Sequence, residues 1–189
     1  MAISTISQAG LNAPITLTSP VIAGTPTGVG VLTSGTAVAS TSGTSIDFTS
    51  IPSWVKRITV MFNGVSTNGT SAVIVQLGTS GSPTTSGYTG VTIRNGASAN
   101  VISLLSSGFN IENDYTSASA VRTGNLYITL LSSSTNNWTG TAFIANTTVT
   151  QTSGCAGTVS LSGVLNLVRI TTVGGTDTFD AGSVNILYE

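Results

Sequence analysis

The chain has no histidine and a single cysteine among its 189 residues. Because histidine is missing, the usual general base, the Ser-His-Asp triad and the commonest zinc ligand are all excluded. The one thiol, Cys155, cannot form a disulfide within the chain, and we expect it to be a small, semi-buried side chain rather than a reactive group. These absences predict a protein that is not an enzyme and that uses no metal or other cofactor.

Charge is scarce as well. Asp, Glu, Lys and Arg make up 6% of the chain, against about 25% in an ordinary soluble domain. The net charge is −1 and there is no basic patch, so the counterion release that drives nucleic-acid binding has no source, and we expect no nucleic-acid partner. Serine and threonine, with 27 and 33 residues, supply the polar surface instead.

Long apolar runs are absent, although hydrophobic residues make up 40% of the chain. A membrane-spanning helix needs about 20 apolar residues in succession, so we expect no membrane insertion. The first residues, MAISTISQAGLNAP, also lack the basic and apolar regions of a secretory signal peptide.

What the chain does contain, from about Thr36 onward, is an alternation of apolar and polar residues between clusters of Gly, Asn and Ser. This period of two is typical of half-buried strands. Helix signals are nearly absent, so we predict that residues 36–189 form an all-β domain, an antiparallel β-sandwich that is jelly-roll-like. The predicted strands are 36–41, 45–49, 54–62, 72–78, 88–94, 101–111, 125–131, 138–145, 157–170 and 183–188.

Residues 1–35 have a different character, because Pro14, Pro20 and Pro26 interrupt them. Each proline withholds a backbone donor and disfavours helix at the residue before it. This composition predicts an extended N-terminal arm that lies along another molecule rather than a strand inside a sheet.

Two of the predicted strands carry apolar residues on both faces. A strand of a two-layer sandwich has one core face, so a second apolar face is covered either by the arm or by another subunit. We therefore predict a homo-oligomer, with ordinary exposure of scattered apolar side chains as the alternative. The candidate interface residues are Val55, Arg57 and Met61 in the segment 54–62, and Val164, Val168 and Ile170 in the segment 157–170.

The aromatic residues are the best candidates for recognition. Trp138 follows a Ser/Thr run and Asn137, so its ring is expected near a loop tip, where it could stack on a sugar of a host surface glycan. Tyr115 is a second candidate of this kind. The alternative is that Trp138 packs in the core or at a subunit interface. Trp54 falls inside a predicted strand, and we assign it a structural role.

The chain has six acidic residues. Glu112 and Asp114 share one side of an extended chain and could bind a cation, but a solvated loop is the alternative, since calcium draws on several oxygen ligands. No pair of carboxylates is assigned a catalytic role, so a glycosidase is disfavoured.

The stretch SGTAVASTSGTSIDFTSIPSWVKRITVMFNGVSTNGTS (34–71) and the closing GGTDTFDAGSVNILYE (174–189) resemble sequence of tailed-bacteriophage virion proteins of the fibre and decoration kind. The resemblance implies a jelly-roll-like head, commonly trimeric, joined to an N-terminal segment that docks on capsid or tail proteins. It implies no role for any individual residue.

Two functional hypotheses follow. The first is a structural virion protein, a short fibre or decoration protein that residues 1–35 anchor to the particle and whose sandwich projects outward, with host adhesion as an additional role. Such a protein is made in the host cytoplasm and released by lysis, which reconciles a composition typical of extracellular proteins with the lack of a signal peptide. The second is a carbohydrate-binding module or adhesin that recognises a cell surface.

Overall fold

The computed structural model describes residues 32–96, 100–113, 117–148 and 150–189. These ranges contain fourteen strands and no helix, hence no helix that could cross a membrane, and every strand pair is antiparallel. The prediction of an all-β antiparallel fold is confirmed. The strands are β1 (Thr33–Ser34), β2 (Val38–Ala39), β3 (Ser45–Thr49), β4 (Arg57–Thr67), β5 (Val73–Thr79), β6 (Ser82–Pro83), β7 (Thr89–Asn95), β8 (Asn100–Leu104), β9 (Phe109–Asn110), β10 (Arg122–Ser132), β11 (Asn137–Asn146), β12 (Gln151–Ser160), β13 (Leu165–Thr172) and β14 (Phe179–Tyr188).

The strands form two sheets, which we call the large sheet and the small sheet. The large sheet has the order β1-β14-β4-β10-β11-β12-β7-β8, and β2 also pairs with β14. The small sheet has the order β3-β13-β5-β6, and β9 also pairs with β5. Many links between successive strands cross from one sheet to the other, and this winding is the property shared with a jelly roll.

A single hydrophobic core lies between the two sheets. Strand β4 shows how the sequence places it: Ile58, Val60 and Phe62 are buried, while Thr59 and Met61 lie half-buried on the opposite face. Full burial of one such apolar side chain contributes about 1.5–3 kcal/mol. A slip of one residue would exchange the two faces, so this alternation fixes the register.

The start of β4 differs from the prediction. The strand begins at Arg57 rather than at Trp54, because the Val55 N–H donates to the Pro52 carbonyl (3.1 Å) and forms a turn. Trp54 is therefore outside the sheet. It is 45% exposed, and its ring packs on that of Tyr188 with the centroids 5.9 Å apart.

Two long predicted strands are each divided. The segment 101–111 breaks between β8 and β9, where Gly108 lies so close to β5 that an added Cβ would stand 2.9 Å from the Val75 carbonyl oxygen. The segment 157–170 breaks between β12 and β13. Its apolar pattern continues through the turn because Leu161 and Leu165 both face the core.

The sandwich begins before residue 36, where the predicted β domain starts. In β1, Thr33 and Ser34 pair with Tyr188 and Leu187, and the Gly35 N–H donates to the Ile186 carbonyl (2.8 Å). Residues 33–35 therefore belong to the large sheet. The predicted arm over residues 1–31 lies outside the described residues.

Candidate interaction surface

The outer face of the large sheet points away from the core and carries aligned rows of side chains. Because residues directly opposite each other on neighbouring strands are in contact, each row is a continuous strip. One row consists of Met61, Asn125, Phe143, Gly154, Ile93 and Ile102. The next row consists of Thr59, Tyr127, Thr141, Ala156, Val91 and Leu104.

We use the name neutral face for the outward residues of β10, β11, β12, β7 and β8. Within these strands, all of which the structure describes, no outward side chain is charged. Phe143, Ile102 and Leu104 are 67%, 66% and 78% exposed. A contiguous apolar patch of this kind on a soluble protein is typical of an interaction site.

The edge strand β8 continues the neutral face. The Leu105 N–H donates to the Gly90 carbonyl (3.0 Å), and hydrogen-bonded and non-hydrogen-bonded pairs alternate along an antiparallel ladder. It follows that Ile102 and Leu104 direct their backbone N–H and C=O groups away from β7, toward a side of β8 on which no other strand pairs within the described ranges. Strand β8, with the sequence NVISL, has none of the charges, prolines or glycines that usually protect an edge.

A pocket of about 220 Å³ lies on the same outer face, over β14, β4 and β10, and shares Tyr127 with the neutral face. We call it the corner pocket. It is lined by Leu32, Arg57, Thr59, Tyr127, Leu187 and Glu189. The Arg57 guanidinium and the Glu189 carboxylate form an ion pair at its rim.

Three of the six predicted interface residues are core residues instead. Val55, Val168 and Ile170 are 3%, 0% and 0% exposed and belong to the core of the chain itself. The prediction is wrong for these three: Val168 and Ile170 lie on β13, a central strand of the small sheet, and Val55 lies in the turn before β4 with its side chain in the core. On the opposite face of β13, Leu167 is 0% exposed and is covered by the chain itself. It packs against Gly78 of β5, because a Cβ added to Gly78 would stand 2.9 Å from the Leu167 Cδ2 atom.

The other three predicted interface residues lie at the surface in two places. Arg57 and Met61 lie on the outer face of the large sheet, where Arg57 borders the corner pocket. Val164 is 57% exposed in the turn between β12 and β13. Arg57 and Met61 thus lie beside the neutral face, which the sequence pattern did not identify.

The predicted recognition residues are not presented as expected. Trp138 is 3% exposed and belongs to the core, so its ring has no free surface on which a sugar could stack, and core packing is the alternative that holds. Asn137 donates from Nδ2 to the Ser160 hydroxyl (2.8 Å) and so links β11 to β12. Tyr115 lies outside the described residues.

Glu112 and Arg122 form a buried ion pair at one end of the sandwich. The Arg122 Nε atom donates to the Glu112 Oε2 atom (2.6 Å), and both side chains are almost inaccessible. The other oxygen, Oε1, accepts from the Val73 N–H (2.9 Å), and Arg122 Nη1 donates to the Ala120 carbonyl (3.1 Å). The expectation of a solvated loop is therefore wrong for Glu112, whereas Asp114 lies outside the described residues.

A phenol and a thiol, those of Tyr88 and Cys155, are buried in the core. The Tyr88 hydroxyl accepts a hydrogen bond from the Leu77 N–H (2.8 Å). Leu77 lies on β5 between residues 74–75, which pair with β9, and residues 78–79, which pair with β6. Burial raises the pKa of Tyr88 to about 12. Cys155 is 5% exposed, so the expected burial of this cysteine is confirmed. This burial raises the pKa of its thiol to about 12.

Comparison of the chain with protein-family models, with curated proteins and with solved structures gave no match. The resemblance to phage fibre and decoration proteins stays a prediction. The fold assignment above rests on the strand pairing of this chain alone.

Proposed function

We propose that the protein is a structural subunit of an extracellular assembly, in which copies of the chain pack together through the neutral face. The observation that carries this proposal is the combination of Phe143, Ile102 and Leu104, all more exposed than buried, on a broad sheet face without charge. Exposed apolar atoms are common on any protein surface. Here, however, they are aligned in rows that reach an unprotected sheet edge.

A second copy of the same chain fits this face well. Because the neutral face has no charge, two identical faces can meet without like-charge repulsion. The area of the neutral face follows from its five strands, which lie about 4.8 Å apart, and from four rows of outward residues, which lie about 6.8 Å apart along the strands. The product is about 650 Å². Two copies would bury about 1,300 Å², which lies within the range of about 1,200–2,000 Å² for specific interfaces.

The assembly that we infer is a tailed-phage virion. The support is the charge-poor, Ser/Thr-rich composition, the resemblance over 34–71 and 174–189, and the proline-interrupted segment 1–35, which suits docking on capsid or tail proteins. In this role the chain is a short fibre or decoration protein whose sandwich projects from the particle. The resemblance implies a trimer, whereas contact between two identical neutral faces joins copies in pairs, so the measured mass of the oligomer distinguishes the two arrangements.

Self-association is tested by light scattering coupled to size-exclusion chromatography on the full-length protein. Phe143→Glu puts a charge in the middle of the neutral face, and we expect it to shift the protein toward the monomer. Thr176→Glu adds the same charge in the exposed turn before β14 and should behave like wild type. A wild-type protein that is monomeric at every concentration, or an equally stable Phe143→Glu oligomer, would reject the neutral face as the contact.

Virion membership is tested in the phage that encodes the chain. We expect mass spectrometry of purified particles to find the protein. Deletion of residues 1–31, which leaves β1 in the large sheet, should prevent its incorporation while the truncated body still self-associates. Particles without the chain, or an unchanged copy number after the deletion, would contradict the anchoring role.

The alternative function, glycan recognition by an adhesin, no longer has support from Trp138, because that ring is buried. A different feature, the corner pocket, favours it.

A further inference from the structure

The corner pocket combines an aromatic ring, apolar walls and a few polar groups. Ring-binding sites in proteins are concave and mostly apolar, with a small number of polar groups that fix orientation. Here Leu32 and Leu187 supply apolar surface, Tyr127 supplies the ring, and Thr59, Arg57 and Glu189 supply polar groups. The strands β4, β10 and β14, with the residue that follows β14, hold five of these residues on one rigid sheet.

Tyr127 is the element on which a ligand would stack. It is 49% exposed, and its hydroxyl accepts from the Asn125 Nδ2 atom (3.3 Å). The phenol proton therefore remains able to donate. Aromatic rings with a polar group at one end suit ligands that have an apolar face and a hydroxylated edge, and a pyranose ring has both.

The charged rim narrows the ligand class. The Arg57 guanidinium presents donors and the Glu189 carboxylate presents acceptors, which match the two hydrogen-bonding roles of neighbouring sugar hydroxyls. Because the two charges neutralise each other, the rim does not attract an acidic or a basic ligand. A neutral sugar is the ligand that uses both groups.

The size of the pocket sets the length of the ligand. Its volume of about 220 Å³ lies below the range of about 300–1,000 Å³ for sites of drug-sized ligands. We propose that the corner pocket binds one neutral pyranose ring at the end of a glycan. This proposal does not rest on assembly through the neutral face, because only Tyr127 of the six lining residues belongs to that face, and the other five lie on β4, on or beside β14, or before β1.

The test uses saturation-transfer NMR on the full-length protein with methyl glucoside, methyl galactoside and methyl mannoside as probes. We expect at least one probe to bind, with a dissociation constant on the order of 1 mM, since a single small ring in an open pocket forms few contacts. Tyr127→Ala should weaken binding about tenfold, whereas Tyr127→Phe, which keeps the ring, should retain most of it.

Thr158→Ala is the control, because Thr158 lies on the same sheet face two strands away from Tyr127. It should bind as wild type does, and circular dichroism should show all variants folded. The absence of transfer from every probe, or equal binding by wild type and a folded Tyr127→Ala variant, would overturn the proposal. Light scattering on the same samples reports self-association separately, so failure of one proposal is distinguished from failure of the other.

Discussion

The buried pair Glu112–Arg122 gives the sharpest stability prediction. Glu112→Gln keeps the shape of the side chain and an oxygen that can accept from the Val73 N–H, but it removes the negative charge. The Arg122 guanidinium, 1% exposed, is then left without its counter-ion. The substitution therefore isolates the cost of an unpaired buried charge.

The magnitude follows from the burial of both partners. Removing one member of a buried ion pair costs about 3–5 kcal/mol, whereas replacing both by neutral groups of similar shape is often nearly neutral. For a body of this size, each kcal/mol shifts the melting temperature by about 2–4 °C, so the expected loss is about 6–20 °C. Glu112→Gln/Arg122→Met should be more stable than either single variant.

Urea unfolding followed by tryptophan fluorescence measures all four proteins of this double-mutant cycle. The two changes should be strongly non-additive, with a coupling energy of about 2 kcal/mol or more. Arg169 provides the control, because its bidentate pair with Asp47 (2.7 and 2.6 Å) lies partly exposed. Its loss should cost about 1 kcal/mol or less. If Glu112→Gln cost no more than Asp47→Asn, or if the cycle were additive, burial would not govern the energetics of this pair.

Two further predictions concern the core. First, Tyr88 and Cys155 have pKa values raised from 10.0 and 9.0 to about 12, so their neutral forms stabilise the fold fully below about pH 9, and this contribution is lost as the pH rises toward 12. Urea midpoints should fall over this interval, because the fold loses about 1.4 kcal/mol per group for every pH unit between its ordinary and its raised pKa. The double variant Tyr88→Phe/Cys155→Ala should show a shallower fall. A midpoint that fell as steeply with pH in the double variant as in wild type would contradict the assignment. Second, Gly140→Ala should destabilise the fold by about 1–3 kcal/mol, because the added Cβ would stand 2.7 Å from the Phe109 ring. Gly163→Ala is the control: the atom nearest to its added Cβ is 3.9 Å away, so urea unfolding should find its stability near that of wild type.

The strands could be predicted because one physical rule, alternation between core and surface, determines most of them. β3, β5, β7, β10, β11 and β14 lie where the period of two placed them. The rule fails where a residue is buried for another reason. In β13 Val168 and Ile170 face the core and Leu167 on the opposite face is also buried, so the pattern assigned Val168 and Ile170 to a surface for a partner, although the covering groups belong to the same chain.

The candidate surfaces could not be predicted from the sequence, because they depend on which strands become neighbours. The corner pocket joins β4, β10 and β14, which are distant in the chain, and the neutral face joins β7 and β8 to β11 and β12. The sequence left two positions open for Trp138, a loop tip or the core, and it placed Trp54 inside a strand. Trp138 is the second residue of the central strand β11 and packs in the core, whereas Trp54 lies in the turn after Pro52, outside the sheet.

Most of the charged side chains are paired within the chain, so association with another molecule should depend on shape more than on electrostatics. Of the five basic residues, Arg57, Arg122 and Arg169 form ion pairs in the described ranges. The long-range field of a chain with net charge −1 is thereby reduced further. Association through an uncharged face should then be nearly insensitive to salt. It should instead weaken on cooling, because apolar burial loses strength at low temperature. A contact that dissolved at high salt but not in the cold would indicate a charged interface, and therefore a surface other than the neutral face.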